Sequence, residues 1–302
     1  MTVLVGVPYD SGIIMASDSQ GSTTGAFAVK HLNRSKLRKL NAKVSRGGFG
    51  EIVIAGAGGS PFISKAAECV KEELDGNWFS SARELADSAE DALLKVYKRH
   101  VLDKADKLGL KPSQYDTPDL GVMMGISLAR KNAGDGAITW KDNALFTISA
   151  DGIAQREDDY STMGSGSPYA EYILQRGWRE NMPMIMALHL AIYAVEEAKK
   201  VDPFCGAQTR VVVLTNGVGV DFPIPEVQEI VKRLAERDES TRFLWRLAIG
   251  DPLAAAEFDA STKKLQAQTA DTTSVPTTDK LVEEQIENKE KAGNKTGTDK
   301  KD

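Results

Sequence analysis

The sequence predicts an α+β fold in which antiparallel sheets are covered by layers of helices. Short apolar runs are joined by turns into hairpins, and helical stretches come in pairs. Along the chain the order is strands, two helices, strands, two helices, strand and helix, which is unlike the alternation of single strands and helices in parallel sheets. The 302 residues, of which 41% are hydrophobic and 27% charged, are ample for such a core.

The first half of the chain opens with a predicted hairpin. Apolar runs at 3–7 and 13–16 flank a turn-rich connection of Pro, Tyr, Asp, Ser and Gly. A third strand is predicted at 51–56. Two amphipathic stretches, 61–74 and 81–102, then carry apolar residues at helical spacing and predict a pair of helices.

The second half repeats this order. Strands are predicted at 120–127, 144–149 and 152–155, and the last two are joined by an Ala-Asp-Gly hairpin turn. Helices follow at 169–177 and 182–200. The remaining elements, one strand and one helix, are predicted at 209–215 and 226–237.

Composition divides the chain into a domain at 1–259 and a tail at 260–302. No aromatic residue follows Phe258, and the segment beyond it is rich in Lys, Glu, Asp, Thr, Asn and Gln. Such a segment buries too little apolar surface to offset the entropy lost on ordering. We therefore expect a charged, disordered C-terminal tail.

Charge and composition also exclude several classes of function. Lys and Arg number 38 against 43 Asp and Glu, a net charge of −5, so we expect no nucleic-acid partner. The chain has neither an apolar run of about 20 residues nor a basic N-terminal signal segment, so we expect a cytoplasmic protein that does not contact membranes. Cys69, Cys205 and the three histidines lack metal-site spacing, so we expect no metal and no cofactor.

Thr2 is a candidate nucleophile. Methionine aminopeptidase removes Met1 when the next side chain is small, and this removal would give Thr2 a free α-amine. Such an amine titrates near pH 7.7–8.0, so it would place a base beside the hydroxyl. Many chains begin with Met-Thr and have no such chemistry, so the position alone does not decide the role.

Asp18 and Lys36 are candidates for a charged pair beside Thr2. Asp18 ends the second strand of the predicted hairpin, which returns the chain close to its start. Leu37 and Leu40 are expected to be buried and to draw Lys36 inward. A neighbouring lysine would lower the pKa of the Thr2 amine, while a carboxylate would keep the lysine charged. Ordinary surface charges remain the alternative for both residues.

Two glycine-rich segments connect strands to helices. In the first, 54–61, Pro61 occupies the last glycine position of G-x-G-x-x-G, which disfavours a nucleotide phosphate site. Glycine there would also let a backbone N–H approach a substrate carbonyl, as an oxyanion hole requires. In the second, 163–168, Ser167 and Pro168 suit an N-cap and a first helical position, and we expect a further role for this turn.

Six segments together resemble the β-type subunits of the proteasome and the related bacterial ATP-dependent heat-shock peptidase. They follow the family's order: 2–7, 15–18, 36–40, 54–56, 164–168 and 202–206. The resemblance covers about Thr2 to Arg237, with an apparent insertion at 103–119. Because Thr2 directly follows Met1, the chain is more similar to the heat-shock peptidase.

The resemblance implies a four-layer αββα sandwich, the N-terminal-nucleophile hydrolase fold. It implies a threonine endopeptidase that cuts protein or peptide substrates inside a homo-oligomeric ring, with an unfolding ATPase or another ring cap as partner. Two alternatives stay open. One is a catalytically silent ring subunit, and the other is an N-terminal-nucleophile amidase that acts on a small amide.

The same resemblance assigns roles around the nucleophile. Thr2 would supply both the attacking hydroxyl and the basic amine, with Asp18 and Lys36 as the charged pair. Lys36 matches the family's lysine only with a two-residue insertion before it. Arg38 and Lys39 therefore remain alternative candidates for that role.

Four further positions are carried over from the family. Gly56 would donate the oxyanion-hole N–H, and Ser165 and Asp202 would orient the amine. Cys205 stands where the family has a serine, and a thiol is a weaker donor. It is a candidate for the same network, and a small buried residue is the alternative. Ala207 replaces a usual glycine, which puts the fine geometry around the amine in doubt.

Overall fold

The computed structural model describes residues 2–24, 29–33, 35–109, 120–133, 136–149 and 152–248. The chain divides into two units after Val227. The first unit contains all described strands. In the second unit, the described residues 228–248 belong to the last helix. The predicted tail at 260–302 and the predicted turn residues 150 and 151 lie outside the described residues.

The elements follow the predicted order. The strands are β1 (Leu4–Tyr9), β2 (Gly12–Asp18), β3 (Gln20–Thr24), β4 (Val29–Asn33), β5 (Arg38–Val44), β6 (Gly48–Gly58), β7 (Trp78–Phe79), β8 (Leu120–Lys131), β9 (Ile138–Ile148), β10 (Ala154–Glu157), β11 (Ser161–Met163), β12 (Thr209–Thr215) and β13 (Val218–Asp221). The helices are α1 (Ser60–Gly76), α2 (Ala82–Tyr97), α3 (Asp103–Lys107), α4 (Ser167–Gly177), α5 (Met184–Val201) and α6 (Ile224–Ala248), and a π-helical turn (Lys98–Leu102) lies between α2 and α3.

The strands form two large sheets and one separate hairpin. The five-stranded sheet has the order β11-β1-β2-β12-β13, and the six-stranded sheet has the order β10-β9-β8-β6-β5-β7. Hairpin β3-β4 stands apart from both. Except for the short parallel pair β5–β7, the neighbours are antiparallel. The predicted antiparallel arrangement is therefore confirmed.

The two sheets pack face to face around an apolar layer. Leu4 and Met15 from the first sheet meet Met123 and Leu145 from the second, and all four are at most 1% exposed. A Cβ atom at Gly6 would lie only 2.7 Å from Leu145 Cδ1. Glycine at this position therefore lets the sheets approach closely.

Helices α1 and α2 cover the outer face of the six-stranded sheet. Their small and aliphatic residues, such as Val70 and Leu85, join Ile52 and Phe146 of the sheet in one buried cluster. The N-terminus of α2 is capped by Ser81, whose side chain accepts from Glu84 N. The first predicted helix pair thus forms an outer layer.

Helices α4 and α5 cover the five-stranded sheet. Helix α5 is apolar around most of its circumference because it packs on the sheet with one face and on α4 with another. Leu190 of α5 lies against Gly177 at the end of α4, where a Cβ atom would be 2.5 Å away. The layers are therefore helix, sheet, sheet and helix, and the predicted αββα sandwich is confirmed. None of the helices among the described residues is long and apolar enough for a membrane crossing.

Several boundaries differ from prediction for physical reasons. Strand β9 begins at Ile138 rather than 144, because its first half is a partly exposed run that alternates apolar and polar residues. The predicted helix 81–102 stops being α-helical at Tyr97 and continues as a π-helical turn. Six short or polar strands were not predicted: β3, β4, β5, β7, β11 and β13.

Candidate active site

The β1–β2 hairpin brings Thr2 and Asp18 together. The register pairs Leu4 with Ser17, and Asp18 N donates to Val3 O over 3.3 Å, so the end of β2 lies beside the start of β1. Thr2 Oγ1 donates to Asp18 Oδ1 over 2.9 Å, and Thr2 is only 3% exposed. The predicted proximity of these two residues is therefore found.

Asp18 is fully buried but well supplied with hydrogen-bond donors. Val3 N lies 3.0 Å from Oδ1, and Gln20 N and Gly206 N each lie 3.2 Å from Oδ2. These three backbone donors hold the Asp18 carboxyl group in one orientation.

Lys36 completes the group. Its neighbour Leu37 is 7% exposed and packs between the sheets, which draws the lysine inward as predicted. Lys36 Nζ lies 2.6 Å from Asp18 Oδ1 and donates to Thr2 Oγ1. Burial lowers the pKa of Lys36 below its ordinary value, and the charge of Asp18 opposes this shift without cancelling it.

The two alternative basic residues lie elsewhere. Arg38 donates to Ser64 Oγ over 3.1 Å, and Lys39 pairs with Asp221. Of the three candidates, Lys36 is therefore the one that the structure brings to Thr2.

The loop before α4 forms hydrogen bonds to the carbonyl oxygen of Thr2. Gly166 N donates to Thr2 O over 3.1 Å, and Ser165 Oγ lies 3.5 Å from the same oxygen. Gly164 has a φ of +99°, and a Cβ atom there would lie 2.2 Å from Thr2 O, so only glycine fits. Ser167 is the first residue of α4, and Gly166 rather than Ser167 occupies the N-cap position.

Asp202 and Cys205 form a second polar group beside this loop. Asp202 follows α5 and accepts from Phe204 N at 2.9 Å and from Cys205 Sγ at 3.2 Å. Cys205 Sγ also lies 4.0 Å from Ser165 Oγ, which connects the group to the Thr2 carbonyl.

The pKa shifts in this group have opposite signs. Burial acts to raise the pKa of Asp202, but hydrogen bonds from Ser165, Phe204 N and Cys205 outweigh it, so the pKa lies below its usual value. Burial, together with the carboxylates of Asp202 and Asp18, raises the pKa of the Cys205 thiol to about 12. Cys205 is therefore a neutral donor, and the serine of the resemblance is replaced by a group that keeps the hydrogen bond.

Gly56 lies near the end of β6. The pairs between β5 and β6 stop at Arg38–Ile54, so β6 runs four residues beyond its last partner in β5. Gly56 and Lys36 line the same cavity. Gly56 thus lies beyond the last residue pair of the β5–β6 ladder.

Sequence reasoning missed the backbone part of the site. The N–H groups of Gln20 and Gly206 bind Asp18, yet any non-proline residue could supply them, so no side chain signals their role. Ala207 is left-handed, with a φ of +57°. The left-handed conformation favours glycine, which explains why the resembled family usually has glycine where this chain has Ala207.

Comparisons with known proteins find proteasome subunits among the proteins that are similar to this chain. The sequence profile of the proteasome subunit family matches residues 136–214. Proteasome subunit beta 1 of Pyrobaculum aerophilum is 26% identical over 234 residues, which are 76% of this chain and 98% of that protein. Proteasome subunit beta 2 of Pyrobaculum islandicum is 42% identical over 71 residues, which are 24% of this chain and 35% of that protein.

Solved structures support the fold independently. Anbu (ancestral beta-subunit) from Yersinia bercovieri superposes with a TM-score of 0.58 at 17% identity, covering 79% of this chain and 95% of its own. A Gly-1 mutant of Anbu from Hyphomicrobium sp. strain MC1 gives 0.60 at 13% identity, covering 80% and 96%. The chain is therefore similar in sequence to proteasome β subunits, and it shares its fold with the Anbu structures.

Proposed function

We propose that the chain is a threonine endopeptidase of the proteasome type. One observation carries the proposal: Thr2 Oγ1 is hydrogen-bonded to both Asp18 and Lys36 inside a site that excludes most water. A structural ring subunit has no physical need for a hydroxyl, a carboxylate and an ammonium group in contact, because burying such charges costs free energy.

The acylation step follows from the arrangement once Met1 has been removed. The α-amine of Thr2 accepts the Oγ1 proton, directly or through water, and Oγ1 attacks the scissile carbonyl. Lys36 stabilises the developing charge on Oγ1, and the Gly56 N–H is the proposed donor to the oxyanion. The C–N bond breaks, an ester forms on Thr2, and the proton passes from the amine to the leaving group.

Deacylation reverses these roles with water as the nucleophile. The Thr2 amine takes a proton from water, hydroxide adds to the ester carbonyl, and Oγ1 leaves with the proton returned to it. In this proposal, Ser165, Asp202 and Cys205 hold the Thr2 backbone so that its nitrogen and hydroxyl keep one geometry.

We further propose a homo-oligomeric ring in the cytoplasm, with protein or peptide substrates delivered by an unfolding ATPase or another ring cap. We infer the ring from the similarity of the chain to proteasome subunits. Exposed apolar side chains on α4 and α5, namely Tyr169, Tyr172 and Met186, agree with contacts to other subunits. Residues 1–259 would form the peptidase domain and 260–302 a tail outside it.

Peptide hydrolysis by two Thr2 variants tests the proposal. Thr2→Ala removes the nucleophile, and we expect at least an approximately 100-fold loss of turnover in a protein that remains folded. Thr2→Ser keeps a hydroxyl and should retain much more activity. Equal turnover by Thr2→Ala and the native protein would overturn the mechanism.

Particle size separates the proposal from the small-amide alternative. Light scattering on the full chain should give a large homogeneous oligomer. A monodisperse monomer at micromolar concentration would contradict the ring and favour an amidase. An assembled ring without any peptide turnover would instead identify a silent subunit.

A further inference from the structure

The loop at 202–208 connects α5 to β12 and contacts the proposed site directly. Its Gly206 N donates to Asp18 Oδ2 over 3.2 Å. The same loop carries Asp202 and Cys205, which form the polar group beside the Thr2 carbonyl. The position of this loop therefore affects the carboxyl group that accepts from the nucleophile.

Hydrophobic packing contributes little to holding this loop in place. Phe204, its largest apolar side chain, is 40% exposed, and Pro203 and Ala207 are exposed as well. Apolar side chains stabilise a segment roughly in proportion to the area that they remove from water. The position of the loop therefore depends on how its two ends, at α5 and at β12, are held.

Three polar side chains join the end of α5 to the start of β12. Thr209 Oγ1 donates to Glu196 Oε1 and accepts from Lys199 Nζ over 3.1 Å. Lys199 Nζ also lies 2.7 Å from the same carboxylate oxygen. We call these three residues, Glu196, Lys199 and Thr209, the α5–β12 bridge. All three side chains are largely buried, and the bridge ties together the two elements between which the loop runs.

The α5–β12 bridge lies beside Asp18. The register pairs Thr209 of β12 with Asp18 of β2, and residues paired in this way have their Cβ atoms about 5 Å apart on one face of a sheet. Ser19, the residue after Asp18, accepts from Gln208 N over 2.9 Å. The end of the loop is thus attached to the strand that carries Asp18 as well as to α5.

We propose that the members of the α5–β12 bridge are positioning residues for peptide hydrolysis, because they hold the loop at 202–208 in place. The inference rests on the proposed function. Among the described residues, no member of the bridge forms a hydrogen bond or ion pair with Thr2 or Lys36. The bridge therefore acts through the loop, and the chemical step, rather than substrate binding, depends on it. A displacement of about 1 Å in a reacting group costs up to about 100-fold in rate.

Thr209→Val tests the proposal, because it keeps the shape of the side chain and removes the hydroxyl from the bridge. With a fluorogenic peptide that the native protein cleaves, we expect kcat to fall about 10-fold and KM to stay nearly unchanged. Thr209→Ser keeps the hydroxyl and should restore most of the native kcat. Thr215→Val is the matched control, because Thr215 lies at the other end of β12, is 5% exposed against 4% for Thr209, and donates to Ser11 O. It should keep the native kcat.

A second pair of variants keeps the test independent of how well Thr209→Val folds. Lys199→Met removes the cation from the bridge and should also lower kcat. Lys200→Met removes a cation from the neighbouring pair with Glu197, which has the same spacing on α5 but is more exposed, and it should not. The double variant Thr209→Val/Lys199→Met should lose no more than Thr209→Val, because the bridge is already broken.

Several results would overturn the inference alone. These are equal kcat values for Thr209→Val and Thr215→Val, or for Lys199→Met and Lys200→Met, a change confined to KM, and a kcat for Thr209→Ser as low as that for Thr209→Val. No cleavage of any peptide by the native protein would overturn the proposed function and this inference together.

Discussion

Replacing Lys36 with methionine removes the cation between Asp18 and Thr2 while nearly preserving side-chain length. The ion pair is buried, with 14% of the Lys36 side chain and 0% of the Asp18 side chain exposed. Removing one partner of a buried pair costs about 3–5 kcal/mol, because the other charge is left unpaired. Backbone N–H groups still bind the Asp18 carboxylate, so we expect Lys36→Met to lower the free energy of unfolding by about 3 kcal/mol, the lower end of this range.

Denaturant unfolding measures this cost at one fixed protein concentration, since the stability of an oligomer depends on concentration. Lys43→Met, on the exposed part of β5, should cost less than about 0.5 kcal/mol. The double variant Asp18→Asn/Lys36→Met should recover about 1–2 kcal/mol relative to the sum of the single variants, because it leaves no charge behind. Peptide turnover should fall at least about 100-fold in Lys36→Met and should not recover in the double variant.

Two results would refute this reasoning. If Lys36→Met and Lys43→Met lose the same stability, Lys36 and Asp18 are not a coupled buried pair. If Lys36→Met keeps near-native turnover, the contact between Nζ and Thr2 Oγ1 has no part in the reaction.

Three further outcomes follow from the geometry. Burial raises the pKa of Tyr9 from 10.0 to about 12, so its contribution to stability is complete below pH 10 and is lost as the pH rises through 12. The free energy of unfolding of the native protein should therefore fall by about 2–3 kcal/mol more than that of Tyr9→Phe between these two pH values. If the free energy of unfolding depends on pH in the same way in both proteins, the phenol is not buried. Cys205→Ser should keep the native peptide turnover because a hydroxyl still donates to Asp202, whereas Cys205→Ala removes the donor and should lower the turnover. A large loss of turnover in the serine variant would reveal a role for the thiol itself. Ala207→Gly should raise the free energy of unfolding by about 0.5–1 kcal/mol. The substitution removes the cost of a left-handed alanine, about 1–2 kcal/mol, but glycine also gives the unfolded chain more conformational freedom, which offsets part of the gain. A lower free energy of unfolding in the variant would show that Ala207 is not strained.

The strands with continuous apolar residues were the most predictable part of the fold. The β1–β2 hairpin follows from two buried runs around a turn, and its register explains why Asp18 lies beside Thr2. Strand β5 was missed because one of its faces consists of Lys39, Asn41 and Lys43, and on the other face only Ala42 and Val44 are buried. Its place is set by pairing with β6, which a local pattern does not reveal.

The side chains of the site were more predictable than its backbone. Lys36 was inferred from the apolar residues that anchor it, and the structure brings it to Thr2. The N–H groups that bind Asp18 Oδ2 belong to Gln20, two residues along the chain, and to Gly206, far along it. Because any non-proline residue has such a group, the residue types do not predict this role. Helix α5 was predicted from its apolar residues, and in the structure it packs on the five-stranded sheet and on α4.

The central claim is that Thr2 becomes the N-terminal residue and that its hydroxyl is the nucleophile. Intact mass and peptide mapping after treatment with a peptide vinyl sulfone test both parts at once. We predict a chain without Met1 that carries one probe on Thr2, and no labelling of Thr2→Ala. A fully active chain that retains Met1, or a probe attached to Cys205 or Cys69 instead, would contradict the account.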